Sequence, residues 1–493
     1  MSISLIAALA LAGEMSLSLE GAEIPAFDAT TQQLYVTSES GLQVVDLRDP
    51  SRARILKNVD FTKPPFSFTN DISSVAVKNG RVAVVAASKN RHEPGKLFLL
   101  DARQELTVEA LVGVQPDMVT FTHDGSRILV ANEGEPSKPD GKIDPPGSVS
   151  IVDIQDPRNP KVRTVGFERF DGEAAELAAA GVRIFPGRLP STDFEPEYIA
   201  VSQDNLRAMV TLQEANAVAV LNIDDARFER IVPLGLKDWR NFSFDGSGKD
   251  EGYVPRTGLP IYGMYMPDAI AGYVAADGRQ YYVIANEGDD RDDFVSGGET
   301  GKLESAVLDQ KVFSNAKELQ NQRVLGSLAV PAIKGLNGDT DNDGKVDVIY
   351  TYGGRSFSIL DKDGNRVYES GDHIERTLGG MGIWKKDAVH RKGIDEGRSP
   401  KKGPEPEGVA IGSVEGKTYA FITIERGSGG VMAYDVSNPE SPEYAGYWTR
   451  IGDLAPEGVL FVPASDSASG KNLLILANEK SNSVSIFSVV QGR

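Results

Sequence analysis

A short module recurs along the chain and limits the folds open to it: an acidic residue opens one candidate β-strand, and an Asn-Glu-type pair closes the next. The openers are Pro116-Asp117, Glu195-Pro196-Glu197, Pro267-Asp268, Glu405-Pro406-Glu407 and Pro456-Glu457. The closers are Asn132-Glu133-Gly134, Gln213-Glu214, Asn286-Glu287-Gly288, Glu425-Arg426 and Asn478-Glu479-Lys480. Two antiparallel strands joined by a hairpin begin and end at the same edge of their sheet, so openers and closers fall on one face of whatever the modules build.

Aligned on this pattern, candidate modules begin near Glu23, Asp71, Asp117, Glu197, Asp268, Val346, Glu407 and Glu457. Their short β-branched runs are bounded by Gly, Asp, Asn or Ser, as strands and turns require. A unit of three visible strands and a weaker fourth cannot bury its own face and must stack on neighbours. The expected fold is all-β: a single β-propeller spanning residues 1–493, with seven or eight four-stranded blades. Residues 3–10 are apolar, lack a basic flank and a cleavage site, and are too short to span a bilayer. They read as a strand that closes the last blade, with any export signal lying outside this sequence. Insertions are expected near 225–265, 288–345 and 362–403, and a brief helix over 172–181.

The chain carries a net charge of −19 and no cysteine. The charge disfavours nucleic acid and anionic membranes and favours cation binding. The missing thiols exclude disulfides, thiolate metal sites and cysteine nucleophiles. His92, His123, His373 and His390 show no paired spacing; His123 reads as a turn residue, and His373 and His390 fall in an insertion. Oxygen ligands remain, which suit Ca2+, Mg2+, Mn2+ or Fe3+. No nucleophile elbow or phosphate-binding glycine loop is present.

The segments Asp193-Phe194-Glu195-Pro196-Glu197-Tyr198-Ile199, Met266-Pro267-Asp268, Asn286-Glu287-Gly288-Asp289-Asp290-Arg291 and Glu405-Pro406-Glu407-Gly408 resemble the choice-of-anchor I family. The similarity runs from about Glu23 to Phe487, with Ala215 where the family carries Asn after Gln-Glu. It implies an exported propeller, periplasmic, secreted or at the cell surface. The family includes atypical bacterial alkaline phosphatases and mesenchyme-specific surface glycoproteins of biomineralising animals.

In a propeller the first strand of each blade lines the channel. The expected ring is Glu23, Asp71, Asp117, Glu197, Asp268, Glu407 and Glu457, with Glu133, Glu214, Glu287, Glu425 and Glu479 just outside it. Carboxylates this close need cations or raised pKa values. Several Ca2+ ions, with Fe3+ or another hard metal, would hold phosphate oxygens there. Arg291, Arg426 and Lys480 sit in the same turns and are the candidate catalytic clamps on the phosphate. Separately, Asp339, Asp341, Asp343 and Asp347 follow the alternating pattern of a calcium loop, with Gly344 at its turn and no Glu at the twelfth position. The expected activity is that of a metal-dependent phosphoesterase, a monomer acting on a small phosphate ester. The alternative is a non-catalytic calcium-binding surface propeller for adhesion, scaffolding or mineral contact.

Overall fold

The structure, a computed structural model, describes residues 9–38, 40–68, 72–381, 396–426 and 429–492. Residues 3–8 of the expected closing strand, Asp71 and His390 lie outside the described residues. Twenty-eight of the strands form seven four-stranded antiparallel sheets. Their innermost strands are Pro25–Asp28, Ile72–Lys78, Pro116–Phe121, Pro196–Val201, Ile270–Val274, Pro406–Val414 and Pro456–Val462. Each inner strand contacts the next, and the last contacts the first, so the sheets are blades of one closed ring.

The second strand of each blade is nearly all buried; Arg81–Ala86, for example, exposes only part of its arginine. Side chains alternate between the two faces of a strand, so each such strand feeds the two interfaces beside its blade. The result is a hydrophobic cluster between every pair of neighbours: Val84 with Tyr35, Val130 with Val85, Val210 with Ile151, Ile284 with Met209, Ile422 with Val283, Leu476 with Phe421, and Leu34 with Ile475. Each fully buried aliphatic side chain contributes about 1.5–3 kcal/mol.

The ring is fastened as expected, although the described strand begins later than residue 3. Leu9–Ser18 runs antiparallel to Ser483–Gln491, from Leu9 opposite Gln491 to Ser18 opposite Ser483. Seven sheets rather than eight follow from the insertion in the fifth blade. Its second strand, Gln280–Asn286, pairs directly with Ser356–Asp361. The fifth and sixth candidate modules are therefore halves of one blade. The run near Val346 that suggested a separate module supplies Ile349–Thr351, which pairs in parallel with Ile261–Met264 outside the ring.

Two expected insertions also begin later than anticipated, because Arg227–Pro233 and Arg366–Glu369 are fourth strands of their blades. The inserted segments pack on one another around Trp239, Phe244, Ile261, Leu303, Leu325 and Ile349. Arg355, fully buried, ties them together: its guanidinium donates to Asp245 O at 2.8 Å, Glu375 Oε2 at 3.1 Å and Ser399 O at 2.6 Å. The expected short helix is present as Ala174–Ala180, ended by Gly181 in the left-handed conformation. No helix among the described residues is long and apolar enough to cross a membrane.

Candidate functional site

The openers owe their direction to a repeated backbone device. In four blades the opening proline faces the end of the second strand: Pro116 opposite Asn132, Pro196 opposite Leu212, Pro406 opposite Ile424 and Pro456 opposite Asn478. The register then shifts by a bulge directly after each proline. Proline cannot donate to the ladder, and a bulge re-aims the side chain it contains. The acid after each proline, Asp117, Glu197, Glu407 and Glu457, is turned by it into the channel mouth. Gln115, Met266, Glu405 and Ala455, each just before an opening proline, have φ of 49°, 48°, 52° and 51°. Such left-handed backbone costs roughly 1–2 kcal/mol in a residue bearing a β-carbon, so the strain recurs around a single rim.

The same register corrects one expected ligand. Counting from Asn132, Leu212, Ile424 and Asn478, the rim positions are Glu133, Gln213, Glu425 and Glu479. In the fourth blade Gln213, not Glu214, faces the mouth, and its amide donates to Glu287 Oε2 at 2.7 Å. Glu214 is one residue too far along to line the cavity.

The mouth encloses a cavity of about 540 Å³. Glu23, Asp117, Glu133, Glu197, Asp268, Glu287, Glu407, Glu425, Glu457 and Glu479 all line it, as the ring proposal requires. The second blade contributes Ser73 and Ser74 to the wall.

Of the expected clamps, Arg426 lines this cavity and Arg291 and Lys480 do not. Arg291 is buried among its own partners, with Nη1 2.6 Å from Asp193 Oδ1 and Nη2 2.9 Å from Glu195 Oε1. It fastens the loop ahead of the fourth blade. Lys480 reaches Glu425 Oε1 at 3.1 Å from a half-exposed position. A cation that spacing missed, Lys402, does line the cavity and binds Glu287 Oε1 and Asp289 Oδ1, each at 2.9 Å. It arrives on the segment after an insertion, so no module periodicity marks it.

Charge divides the cavity into two sides. On one, Asp117, Glu133 and Glu197 bring carboxylate oxygens within 4.8 Å of one another. Burial raises all three, Asp117 to about 6, and the strongest charges acting on Glu133 and Glu197 are other carboxylates. On the other side, Glu287, Glu405 and Glu425 form a similar triad. Burial alone would raise Glu405, but Lys402, Arg398 and Arg426 hold it below its ordinary value. Arg426 Nε lies 2.8 Å from Glu405 Oε2, and Arg426 Nη1 lies 2.7 Å from Glu425 Oε1. Burial also lifts Asp268 to about 7 and, despite Lys402, Glu287 of the second triad to about 8.

Arg91 also lines the side of Asp117, Glu133 and Glu197 and lowers Asp117, but burial and the neighbouring carboxylates outweigh it, and the triad fits a hard cation. Oxygens bound to one calcium ion at about 2.4 Å can be at most about 4.8 Å apart, the limit these three carboxylates meet. Glu407 adds a second, independent sign: its buried Oε2 lines the same cavity with no hydrogen-bond partner.

The calcium-loop candidate is partly assembled. Asp339, Asp341 and Asp347 converge within the same limit, while Asp343 pairs with Lys345 instead. Glycine backbone N–H 344 donates to Asp339 Oδ2 at 3.0 Å, closing the turn. His123 lies in a hairpin turn with Nε2 3.2 Å from Val201 O, and His373 Nδ1 lies 2.9 Å from Tyr434 Oη; neither lines the cavity.

Several known proteins resemble the chain. A mesenchyme-specific cell surface glycoprotein of Strongylocentrotus purpuratus is 28% identical over 54% of the chain and 39% of its own length. Gigasin-3a of Magallana gigas is 27% identical over 35% of the chain and 66% of its own length. The chain thus spans well under half of one relative and just under two thirds of the other. Among solved structures, a chain of Kuenenia stuttgartiensis hydrazine synthase matches with a TM-score of 0.50 at 13% identity, covering 96% of each chain. A chain of a mitotic checkpoint complex matches at 0.50 and 8% identity, covering 99% of this chain and 95% of its own. At such identities the likeness concerns the fold alone. The model of the choice-of-anchor I domain matches residues 23–439, most of the sequence, and the chain belongs to that family.

Proposed function

We propose that the protein is an exported, metal-dependent phosphoesterase whose site is the carboxylate-lined mouth of the propeller. One observation carries this reading: a half-buried carboxylate triad, Asp117, Glu133 and Glu197, whose charges outweigh that of the nearby Arg91, shares a single cavity with the cationic groups of Lys402 and Arg426. A phosphate ester needs both, positive charge to neutralise its oxygens and donors to orient them.

Bound Ca2+, or Fe3+ beside it, would supply the Lewis acidity and lower the pKa of a water. Asp117, Glu133, Glu197 and Glu407 would hold the cations, since all line the cavity and the strongest charges acting on them are like charges. Lys402 and Arg426 would donate to the phosphoryl oxygens that do not react. Both already bridge carboxylates, which keeps them extended toward the cavity before a substrate arrives. The neutral wall of Ile24, Ile72, Ala87 and Met118 leaves room for the organic part of an ester.

The test is a chromogenic phosphate monoester assay on protein purified without chelators, with elemental analysis of the same sample. Turnover that chelation abolishes supports the proposal; folded, metal-replete protein inert to phosphate mono- and diesters refutes it.

A second reading has its own support. One relative is named a cell surface glycoprotein, and the hairpin around Asp339 offers a calcium site remote from the cavity-lining residues. On this reading the protein is a non-catalytic calcium-binding surface propeller. Calcium-dependent stability without turnover would favour it.

A further inference from the structure

A second cavity, of about 440 Å³, opens in the inserted segments and has the opposite character. Lys249, Lys302 and Lys401 line it together with Thr300, Ser327 and Gly301, and no carboxylate is among its lining residues. In a chain with net charge −19, three exposed lysines lining one space, with no acid among its described lining residues, is a local excess of positive charge. Like charges gathered around one space repel, and an anion in that space removes the repulsion.

Three separate parts of the fold bring the lysines together. Lys249 follows Gly248, where a β-carbon would lie 2.8 Å from Glu396 O, so the glycine permits the close packing. Lys302 ends the strand Thr300–Lys302, which pairs with Ala329–Pro331. Lys401 belongs to the segment whose Pro400 O accepts from Ala329 N at 2.7 Å, and its own carbonyl accepts from buried Arg355 at 3.0 Å. The pocket walls are therefore pinned by backbone hydrogen bonds. The hydroxyl of Ser327 is buried at the wall with no hydrogen-bond partner.

We propose that this pocket is an oxyanion site, taking a phosphate or sulfate group either free or carried on a small organic molecule. The lysine ammonium groups supply the charge, and the unpartnered Ser327 hydroxyl supplies a neutral donor beside them. The site is distinct from the carboxylate cavity and does not depend on the phosphoesterase reading. Consecutive residues of one segment serve the two spaces: Lys401 lines the basic pocket and Lys402 the acidic one.

Isothermal titration of the chelator-treated full chain with inorganic phosphate, and in parallel with a phosphorylated monosaccharide, tests the site. Saturable binding is expected. The Lys249→Ala/Lys302→Ala/Lys401→Ala variant should bind at least about tenfold more weakly, roughly 1.4 kcal/mol. Arg426→Ala should bind as the parent does. Should the triple variant melt below the parent, Lys302→Glu alone replaces it and is expected to show the same loss. Equal affinity for both probes identifies free phosphate as sufficient, and tighter sugar-phosphate binding identifies a carried group; both support the site. Absence of saturable binding, an unweakened lysine variant, or a loss that follows Arg426→Ala would overturn it.

Discussion

Two of the carboxylate triads at the channel mouth have similar geometry and opposite electrostatics; a third, Glu425, Glu457 and Glu479, shares Glu425 with the second. Asp117, Glu133 and Glu197 face one another with like charges as their strongest neighbours, and burial together with that repulsion pushes all three above their ordinary values. Glu287, Glu405 and Glu425 are as close together, yet Lys402, Arg398 and Arg426 neutralise their centre at Glu405. One triad resembles a site awaiting cations. The other carries cations of its own, as side chains. A count of acids around the rim would treat them alike, and only the placement of the basic residues separates them.

This contrast can be broken by removing one acid from each side. Glu405→Gln leaves Arg398 and Arg426 without their buried carboxylate and is expected to cost about 3–5 kcal/mol of stability, read as a lower denaturation midpoint. Glu197→Gln removes repulsion, so chelated protein should melt at the same temperature or higher. Equal destabilisation by both changes would mean the sides do not differ.

Metal content sharpens the same distinction. Glu133→Gln is expected to reduce the metal retained after purification, and with it phosphate-ester turnover, by at least about tenfold. Loss of metal from Glu405→Gln protein that remains folded, with none lost from Glu133→Gln, would reverse the assignment of the two sides.

The pH dependence follows from the raised values. Asp117, Asp268 and Glu287 titrate at about 6, 7 and 8 in the folded protein, against about 4 when unfolded. Their contribution to stability is complete below about pH 4 and is lost as pH rises through the folded values, because the unfolded chain releases those protons first. Chelated protein should therefore lose stability between about pH 4 and pH 8. Calcium should raise the melting temperature more at pH 8 than at pH 5, since cations replace the protons. A calcium effect independent of pH would argue that these carboxylates do not bind it.

The smallest effect is expected at the hairpin. Asp339→Asn should remove one bound calcium and shift the melting temperature only slightly, leaving turnover unchanged, because Asp339 does not line the cavity. A loss of activity from this change would tie the hairpin to the site.

Much of this arrangement was legible in the residues alone. The Pro-acid openers announce both the end of a strand ladder and the bulge that aims the acid, and so the ring of carboxylates could be read directly. Glu214 was misplaced because Gln213-Glu214 offers two adjacent candidates, and only the pairing of Pro196 with Leu212 decides between them. Lys402 was missed because it reaches the cavity through an insertion, where no periodic pattern applies. The preceding insertion, near 288–345, separated two paired strands of the fifth blade by some seventy residues, from Asn286 to Ser356, which made one blade look like two. Arg291 shares its turn with Glu287 but is captured by Asp193 and Glu195, a competition that spacing does not reveal.

The pairing of Leu9–Ser18 with Ser483–Gln491 also sets an order of events. A ribosome delivers the first of these strands long before the second, so Leu9–Ser18 must wait for its partner before it can find its place. Until Ser483–Gln491 emerges, the outer strand Leu9–Ser18 has no partner and the circle stays open. Intermediate lengths of the polypeptide can stack blades but cannot complete the ring, because its closing pair is distant in sequence, the kind of contact that forms slowly. A truncation at either terminus is thus felt as a gap in the circle rather than as a shorter edge.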